Sequence, residues 1–154
     1  MKLKDILRKN AVFPDLSSSD KKSVLEELSQ LSSNIYQISA DHILQVLLER
    51  EKLGSTGVGQ GVAIPHGKLA GLDSIAIVFG RSKAGVDFHS HDHKPVHLFF
   101  VLLAPENAIG NHLQILARIS RLLKSDHFRK KLIDIKDDQV YDLILAEDEQ
   151  LDKA

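Results

Sequence analysis

Apolar side chains in the first third of the chain recur at the three- and four-residue spacing of amphipathic helices. Those of the first stretch are Val24, Leu25, Leu28 and Leu31, and those of the second are Ile43, Val46, Leu47 and Leu53. Asp20 and Ser39 precede these stretches and offer the side-chain oxygens that cap helix N-termini. The pattern therefore predicts two helices, one after Asp20 and one after Ser39.

The middle of the chain changes to short apolar runs bounded by glycine, proline, aspartate and serine. The runs cover residues 62–64, 75–79 and 96–103. Because they do not alternate with polar residues, they predict strands that are covered on both faces.

Helical spacing returns in the last third of the chain. The apolar positions of its three segments are Leu113, Leu116 and Leu123, then Phe128, Leu132 and Ile135, then Val140, Leu143 and Ile144. Residues 147–154 are mostly polar, and we expect this tail to be flexible.

Helices on either side of a short-stranded centre predict an α/β protein. Strict alternation of strand and helix is missing, so we expect a single layered domain with a mixed β-sheet flanked by helices on both faces. No internal repeat or linker is visible, and residues 1–154 are expected to form this one domain.

Composition narrows the function classes. The chain has 154 residues, a formal net charge of −1 and no cysteine. Without cysteine there are no disulfides, thiolate metal sites or thiol nucleophiles, and the near-neutral charge argues against a nucleic-acid groove. The longest apolar run, residues 98–104, is too short to span a bilayer, and no secretory signal is visible. We expect a soluble cytoplasmic protein that does not insert into membranes.

Residues 57–68 are the most informative stretch for chemistry. Gly57, Gly59 and Gly61 form a glycine-rich segment of the kind that can cradle phosphate. The nucleotide-binding motifs do not fit, since Leu69 follows Lys68 where a P-loop requires serine or threonine.

His66 lies at the end of this stretch. Pro65 fixes its own φ and favours extended geometry at Ile64, so we expect a strand that enters a rigid turn. Gly67 is expected to let the backbone bend away and to leave space beside the imidazole. Neutral imidazole is a capable nucleophile near pH 7. From these residues alone, His66 is either that nucleophile or a histidine that merely ends a strand.

Two more residues could converge on an anion at His66. Arg50 continues the apolar stripe of the second predicted helix, where a guanidinium requires an anionic partner unless it reaches solvent at the helix end. His112 stands at the start of a predicted helix, where free N–H groups and the helix dipole favour anions. The alternative for His112 is an ordinary capping or solvated histidine.

A rival site is the histidine cluster formed by His89, His91 and His93, with His97 beyond it. On a strand, alternate histidines project to one face, and three imidazoles can bind zinc. The serine, aspartate and proline among them predict a turn instead. No His-Glu-x-x-His spacing accompanies the cluster.

The chain resembles the type-2 enzyme IIA domains, the fructose and mannitol class of phosphocarriers in the bacterial phosphoenolpyruvate-dependent phosphotransferase system. The matching segments are Arg50-Glu51-Lys52-Leu53-Gly54-Ser55-Thr56-Gly57, Val62-Ala63-Ile64-Pro65-His66-Gly67, Pro95-Val96 and His112-Leu113. The similarity extends over nearly the whole chain and is greatest for the nitrogen-regulatory branch.

The resemblance implies that His66 is the phosphorylated nucleophile, at Nε2, and that Arg50 and His112 help to hold the phosphoryl group. The residues supporting the phosphate site would be Gly59, Gly61, Pro65 and Gly67. The implied activity is phosphotransfer from a histidine phosphocarrier protein, without metal or cofactor. The phosphorylated state would then signal to regulatory targets such as a sensor kinase or a potassium transporter.

Two alternatives stay open. A sugar-specific enzyme IIA component would use the same chemistry to pass phosphate to a fructose- or mannitol-type permease. The chain shows no sugar-specific IIB domain or membrane domain, which favours regulation. A metal-binding module would use His89, His91 and His93, a cluster with no counterpart in the family's functional pattern.

Overall fold

Five α-helices and six strands form in residues 1–153, the part of the chain that the computed structural model describes. The helices are α1 (Lys21–Tyr36), α2 (Ala40–Lys52), α3 (Ile109–Leu122), α4 (Asp126–Asp134) and α5 (Val140–Gln150). The strands are β1 (Val12–Phe13), β2 (Gly57–Gly59), β3 (Val62–Ala63), β4 (His66–Lys68), β5 (Ala76–Val86) and β6 (Val96–Ala104). Short 3-10 turns cover Leu3–Asp5, Lys9–Ala11 and Asp137–Gln139.

Side-chain caps determine where three of the helices begin. Asp20, Ser39 and Ser125 each accept a hydrogen bond from the backbone N–H three residues later. These bonds satisfy N–H groups that have no partner within the helix. The two helix starts predicted at Asp20 and Ser39 are confirmed.

The sheet is mixed, as the sequence predicts. Its strand order is β1-β5-β6-β3-β2, and β4 also pairs with β6. The β1–β5, β3–β6 and β4–β6 pairs are parallel, whereas β5–β6 and β2–β3 are antiparallel. The central pair, β5 and β6, is therefore the frame on which the shorter strands assemble.

Helices cover both faces of this sheet, which β5 illustrates at two consecutive residues. Gly80 faces α1, where an added Cβ would lie 3.0 Å from Leu28 Cδ2. Arg81 points to the opposite face and donates to backbone carbonyls at the C-terminal end of α4. Both faces of the sheet are thus buried, which explains the apolar runs that do not alternate.

Arg81 is a fully buried cation that the hydrophobic pattern does not reveal. Its guanidinium donates to the carbonyls of Pro14 and Leu132 at 3.0 Å and of Ile135 at 2.6 Å, and it contacts Asp137 Oδ1 at 2.6 Å. Arg81→Met would leave the three carbonyl acceptors without this donor. We expect it to lower the free energy of unfolding by about 3 kcal/mol, measured by denaturant titration.

Lys83→Met is the matched control, because Lys83 contacts the same Asp137 at 2.8 Å from an exposed position. We expect this loss to stay below about 1 kcal/mol. Equal destabilisation by the two substitutions would contradict a special role for the buried guanidinium.

The C-terminal region differs from the flexible tail expected from residue 147. Helix α5 continues to Gln150, and Asp148 is buried within it. Its carboxylate accepts from Leu3 N at 2.8 Å and from Arg118 Nε at 2.6 Å, so the polar sequence there reflects an internal ion pair. In the described residues, no helix combines the length and apolar content that crossing a bilayer requires.

Candidate functional site

Strands β3 and β4 lie one after the other along β6, and the strand pairing with β6 is interrupted between them. Strand β3 pairs with β6 at residues 98–99, and β4 pairs with it in the same direction at 102–104. Between them, Pro65 has no N–H to donate, although its carbonyl accepts from Leu102 N at 3.0 Å. His66 is therefore the first residue of a short strand rather than part of the turn expected from the sequence.

The imidazole of His66 folds back over the residues that join β3 to β4. It is half-buried, and its Nδ1 lies 2.7 Å from the carbonyl oxygen of Ile64. Because a carbonyl can only accept, Nδ1 carries the proton and Nε2 of the neutral ring keeps its lone pair. The arrangement leaves Nε2 as the nucleophilic atom of this side chain.

His112 lies against His66 from the first turn of α3. The ring centroids are 5.5 Å apart and the planes are nearly perpendicular, at 77°. His112 is only 7% exposed, and its Nδ1 finds no hydrogen-bond partner within residues 1–153. The N-cap residue of α3, Ala108, supplies no side-chain acceptor. In the part of the chain that the structure describes, no side chain caps the first N–H groups of α3, and uncapped groups at a helix start favour an anion.

Arg50 occupies the last turn of α2 and is half-buried. Its Nη1 donates to the carbonyl of Gly54 at 2.9 Å, which is the helix-end position considered as the alternative to an anion partner. Its charge nevertheless lowers the pKa of His66, so the guanidinium is electrostatically coupled to the site. His66, His112 and Arg50 are thus brought into one region.

Both imidazoles are held in the neutral form. Burial lowers the pKa of His66 from its ordinary value, and the bond to Ile64 raises it in part. The Arg50 charge lowers this pKa further, and the Glu51 charge opposes Arg50 with a smaller effect. Burial also lowers the pKa of His112, with smaller contributions from His66 in its protonated form and from the charge of Lys68. At neutral pH His66 is therefore unprotonated at Nε2, as a nucleophile must be.

We expect both histidines to titrate below 6.5, the ordinary value, in an NMR titration between about pH 5 and pH 8. A lowered pKa means that the unfolded chain binds protons more readily than the folded one. The free energy of unfolding should therefore fall as the pH decreases below about 6.5. A midpoint above 6.5 for either ring would contradict this description of the site.

Two of the glycines expected to support a phosphate site lie away from His66. Gly59 and Gly61 form the β2–β3 turn, with φ of +93° and +80°. The adjacent Val62 pairs with Leu98 of β6, whereas His66 pairs with Leu102. Leu98 and Leu102 are four residues apart on one strand, which corresponds to roughly 13 Å. These glycines allow a tight turn and do not contribute to the same site.

The other two supporting residues adjoin the histidine, but Gly67 acts differently from its predicted role. A Cβ at Gly67 would collide with Cγ1 of Val46 in α2. On this side of Gly67 the space is thus filled by a helix. Gly67 allows close packing of α2 on β4, and Pro65 makes the interruption that orients His66.

The histidine cluster does not form the strand on which the metal hypothesis depends. His89 and His93 have positive φ values, 52° and 58°, and with His91 they are exposed in a turn. Asp92 stabilises that turn by accepting from the backbone N–H groups of Gln60 and Lys94. Within the described ranges, no three His, Asp or Glu side chains are grouped to bind a metal ion.

Two charged residues near the site were not predicted as functional. Lys68 stands two positions after His66 on β4, and its charge acts on His112. Residues two apart on a strand share a face, so predicting β4 as a strand would have indicated Lys68. Glu51 is a buried carboxylate next to Arg50, and its partners are Lys21, which is distant in sequence, and Thr56, which follows it by five residues.

A mixed β-sheet between helices, with a neutral histidine that lies beside a second histidine and is coupled to an arginine, defines a small α/β domain with an anion-binding type of site. The chain belongs to the family described as phosphoenolpyruvate-dependent sugar phosphotransferase system, EIIA 2, whose family model matches residues 5–147. This confirms the resemblance inferred from the sequence.

Individual relatives agree with this membership. A nitrogen regulatory protein of Bradyrhizobium diazoefficiens is 44% identical over 146 residues, covering 95% of each chain. The fructose-specific EIIA component of Haloferax volcanii is 38% identical over 128 residues, covering 82% of this chain and 83% of the relative. The crystal structure of IIA-Ntr from Neisseria meningitidis matches with a TM-score of 0.85 and 38% identity, covering 92% and 97%. Together these findings support a phosphocarrier with a regulatory role.

Proposed function

We propose that His66 accepts a phosphoryl group on Nε2 from a phosphohistidine of a histidine phosphocarrier protein. The observation that supports this most strongly is the Nδ1–H bond to the carbonyl of Ile64 at 2.7 Å. It fixes the tautomer and directs reactivity to the other ring nitrogen. The phosphohistidine so formed is the intermediate of a stoichiometric carrier.

The transfer balances without movement of a proton. The Nε2 lone pair forms the new P–N bond as the P–N bond of the donor breaks. That electron pair returns to the donor ring, which carries a proton on its other nitrogen and leaves as neutral imidazole, while the positive charge passes to the His66 ring. The proton stays on Nδ1 of His66, which remains hydrogen-bonded to the carbonyl of Ile64 throughout. Phosphoryl transfer depends mainly on positioning and charge stabilisation. Arg50, His112 and the N–H groups at the start of α3 supply that stabilisation.

Apolar residues near the site provide a surface for the donor protein. Leu53, which follows α2, is 84% exposed, and Leu113, adjacent to His112, is 60% exposed. Large apolar side chains exposed on either side of a site offer area that a docked protein can bury. Their burial on docking would exclude water, so that the phosphoryl group passes to protein and is not hydrolysed.

The regulatory role follows from the change of charge. Before phosphorylation, Arg50 and Lys68 give the region around His66 a positive character. A phosphoryl group adds negative charge and acceptor oxygens there. A target such as a sensor kinase or a potassium transporter would thereby distinguish the two states.

We further propose that residues 1–154 form one domain and that it lies in the cytoplasm. A single buried core that extends from Leu3 to Ile144 supports the one-domain description. A cytoplasmic position would give the domain access to the donor protein.

A sugar-transport component is the second candidate function. The name of the Haloferax volcanii relative, a fructose-specific EIIA component, favours it. The chain can be incubated with phosphoenolpyruvate, enzyme I and the histidine phosphocarrier protein, after which a fructose-type IIB domain is added. We expect phosphate to be accepted and retained. Transfer to IIB would favour the sugar function, and no acceptance would reject both.

A further inference from the structure

Glu51 is a buried carboxylate that the transfer chemistry does not use. Its side chain is 6% exposed, and it accepts from Lys21 Nζ at 2.8 Å, from Thr56 N at 2.9 Å and from the hydroxyl of Thr56. The ammonium of Lys21 also lies 4.8 Å from the centroid of the Phe88 ring. A buried carboxylate is tolerated only when it is paired in this way, so the cluster has one defined geometry.

Hydrogen bonds lead from this carboxylate to the imidazole of His66. Thr56 is buried, and its carbonyl accepts from Ile64 N at 3.0 Å. The carbonyl of Ile64 in turn accepts from His66 Nδ1 at 2.7 Å. Both backbone polar groups of Ile64 are therefore committed, one to the Thr56 peptide and one to the histidine.

We propose that Glu51 is a positioning residue for His66, acting through Thr56 and the carbonyl of Ile64 to hold the Nδ1–H tautomer. The inference rests on the proposed function only in taking Nε2 as the reacting atom. Glu51 does not touch the phosphoryl group. It holds the start of β2 against α1 and α2, and this fixes the carbonyl that selects the tautomer.

The cluster requires a carboxylate and not an amide. Glutamine has one acceptor oxygen and a donating NH₂ group, so it cannot accept from the ammonium of Lys21 and both donors of Thr56. Glu51→Gln would leave at least one buried donor without a partner. We expect the Thr56 peptide to shift and the carbonyl of Ile64 to turn partly away from Nδ1.

The test compares Glu51→Gln with Glu49→Gln, which removes the same charge from an exposed position on the same helix. The first readout is the ¹⁵N chemical shifts of the neutral His66 ring in the unphosphorylated protein. We expect one tautomer in the unmodified chain and in Glu49→Gln, and a mixture in Glu51→Gln. The second readout is the phosphoryl-transfer rate. We expect a fall of about tenfold at saturating donor, with the half-saturating donor concentration unchanged.

Thr56→Val and Thr56→Ser test the same connection if Glu51→Gln does not fold. Valine removes the hydroxyl that donates to Glu51, whereas serine retains it. We expect a tautomer mixture in the first and the unmodified pattern in the second. A single Nδ1–H tautomer in every folded variant would overturn the inference. Because that readout needs no phosphate, failure of His66 to accept phosphate is a separate result, which would reject the proposed function.

Discussion

His66→Ala is expected to abolish phosphoryl acceptance from a phosphorylated histidine phosphocarrier protein. Alanine has no nitrogen lone pair with which to form the new P–N bond. The adjacent His112 cannot replace it, since that ring is almost fully buried and contacts His66 edge to face. Loss of a nucleophile typically removes all but a residual rate, so we expect a decrease of more than about 10³-fold. The measurement is acid-labile phosphate on the intact protein by mass spectrometry.

His127→Ala provides the control for this result, because His127 is exposed on α4. It should accept phosphate at the unmodified rate. Circular dichroism would verify that both variants are folded. Normal phosphorylation of His66→Ala would refute the assignment of the nucleophile.

His112→Ala is expected to lower the transfer rate by about 10²-fold and to shorten the lifetime of the phosphorylated protein. Removing one positioned group that stabilises transition-state charge commonly has an effect of this size. The ring centroids of His112 and His66 are 5.5 Å apart, and His112 belongs to the first turn of α3, whose N-cap residue supplies no side-chain cap. Single-turnover kinetics with excess donor would measure the rate.

Asn111→Ala is the control for His112, because Asn111 is exposed in the same helix turn. We expect its transfer rate to stay within about twofold of the unmodified chain, as is usual for a residue that makes no contact in the transition state. Equal rates for His112→Ala and Asn111→Ala would remove His112 from the mechanism.

The helices were predictable because their determinants are local. Asp20 and Ser39 cap the residues that follow them, and the apolar stripe of each helix lies within a few turns. Strands β2 and β4 were missed, since each has three residues and exists through pairing with other segments. A strand so short leaves no alternation to detect.

The sequence predicts which residues meet at the candidate site, but not how they are arranged there. His66, Arg50 and His112 each had an ordinary structural interpretation, and the family resemblance decided between the alternatives. The tautomer of His66 depends on the direction of the Ile64 carbonyl, which side-chain patterns do not encode. Gly67 was misread for a similar reason, since its close neighbour Val46 lies in a separate helix.

The burial of charged groups was the least predictable feature. Arg81 and Asp148 fall in positions where hydropathy indicates surface, yet both are almost completely buried. Their partners are backbone groups and side chains that approach from distant segments. Only the assembled fold brings these donors and acceptors together.

The most direct test of the central claim is ¹⁵N–³¹P coupling in the phosphorylated, ¹⁵N-histidine-labelled protein. We predict a phosphorus coupling to Nε2 of His66 and retention of the proton on Nδ1. Coupling to Nδ1, or phosphate on another histidine such as His89 or His91, would contradict the account.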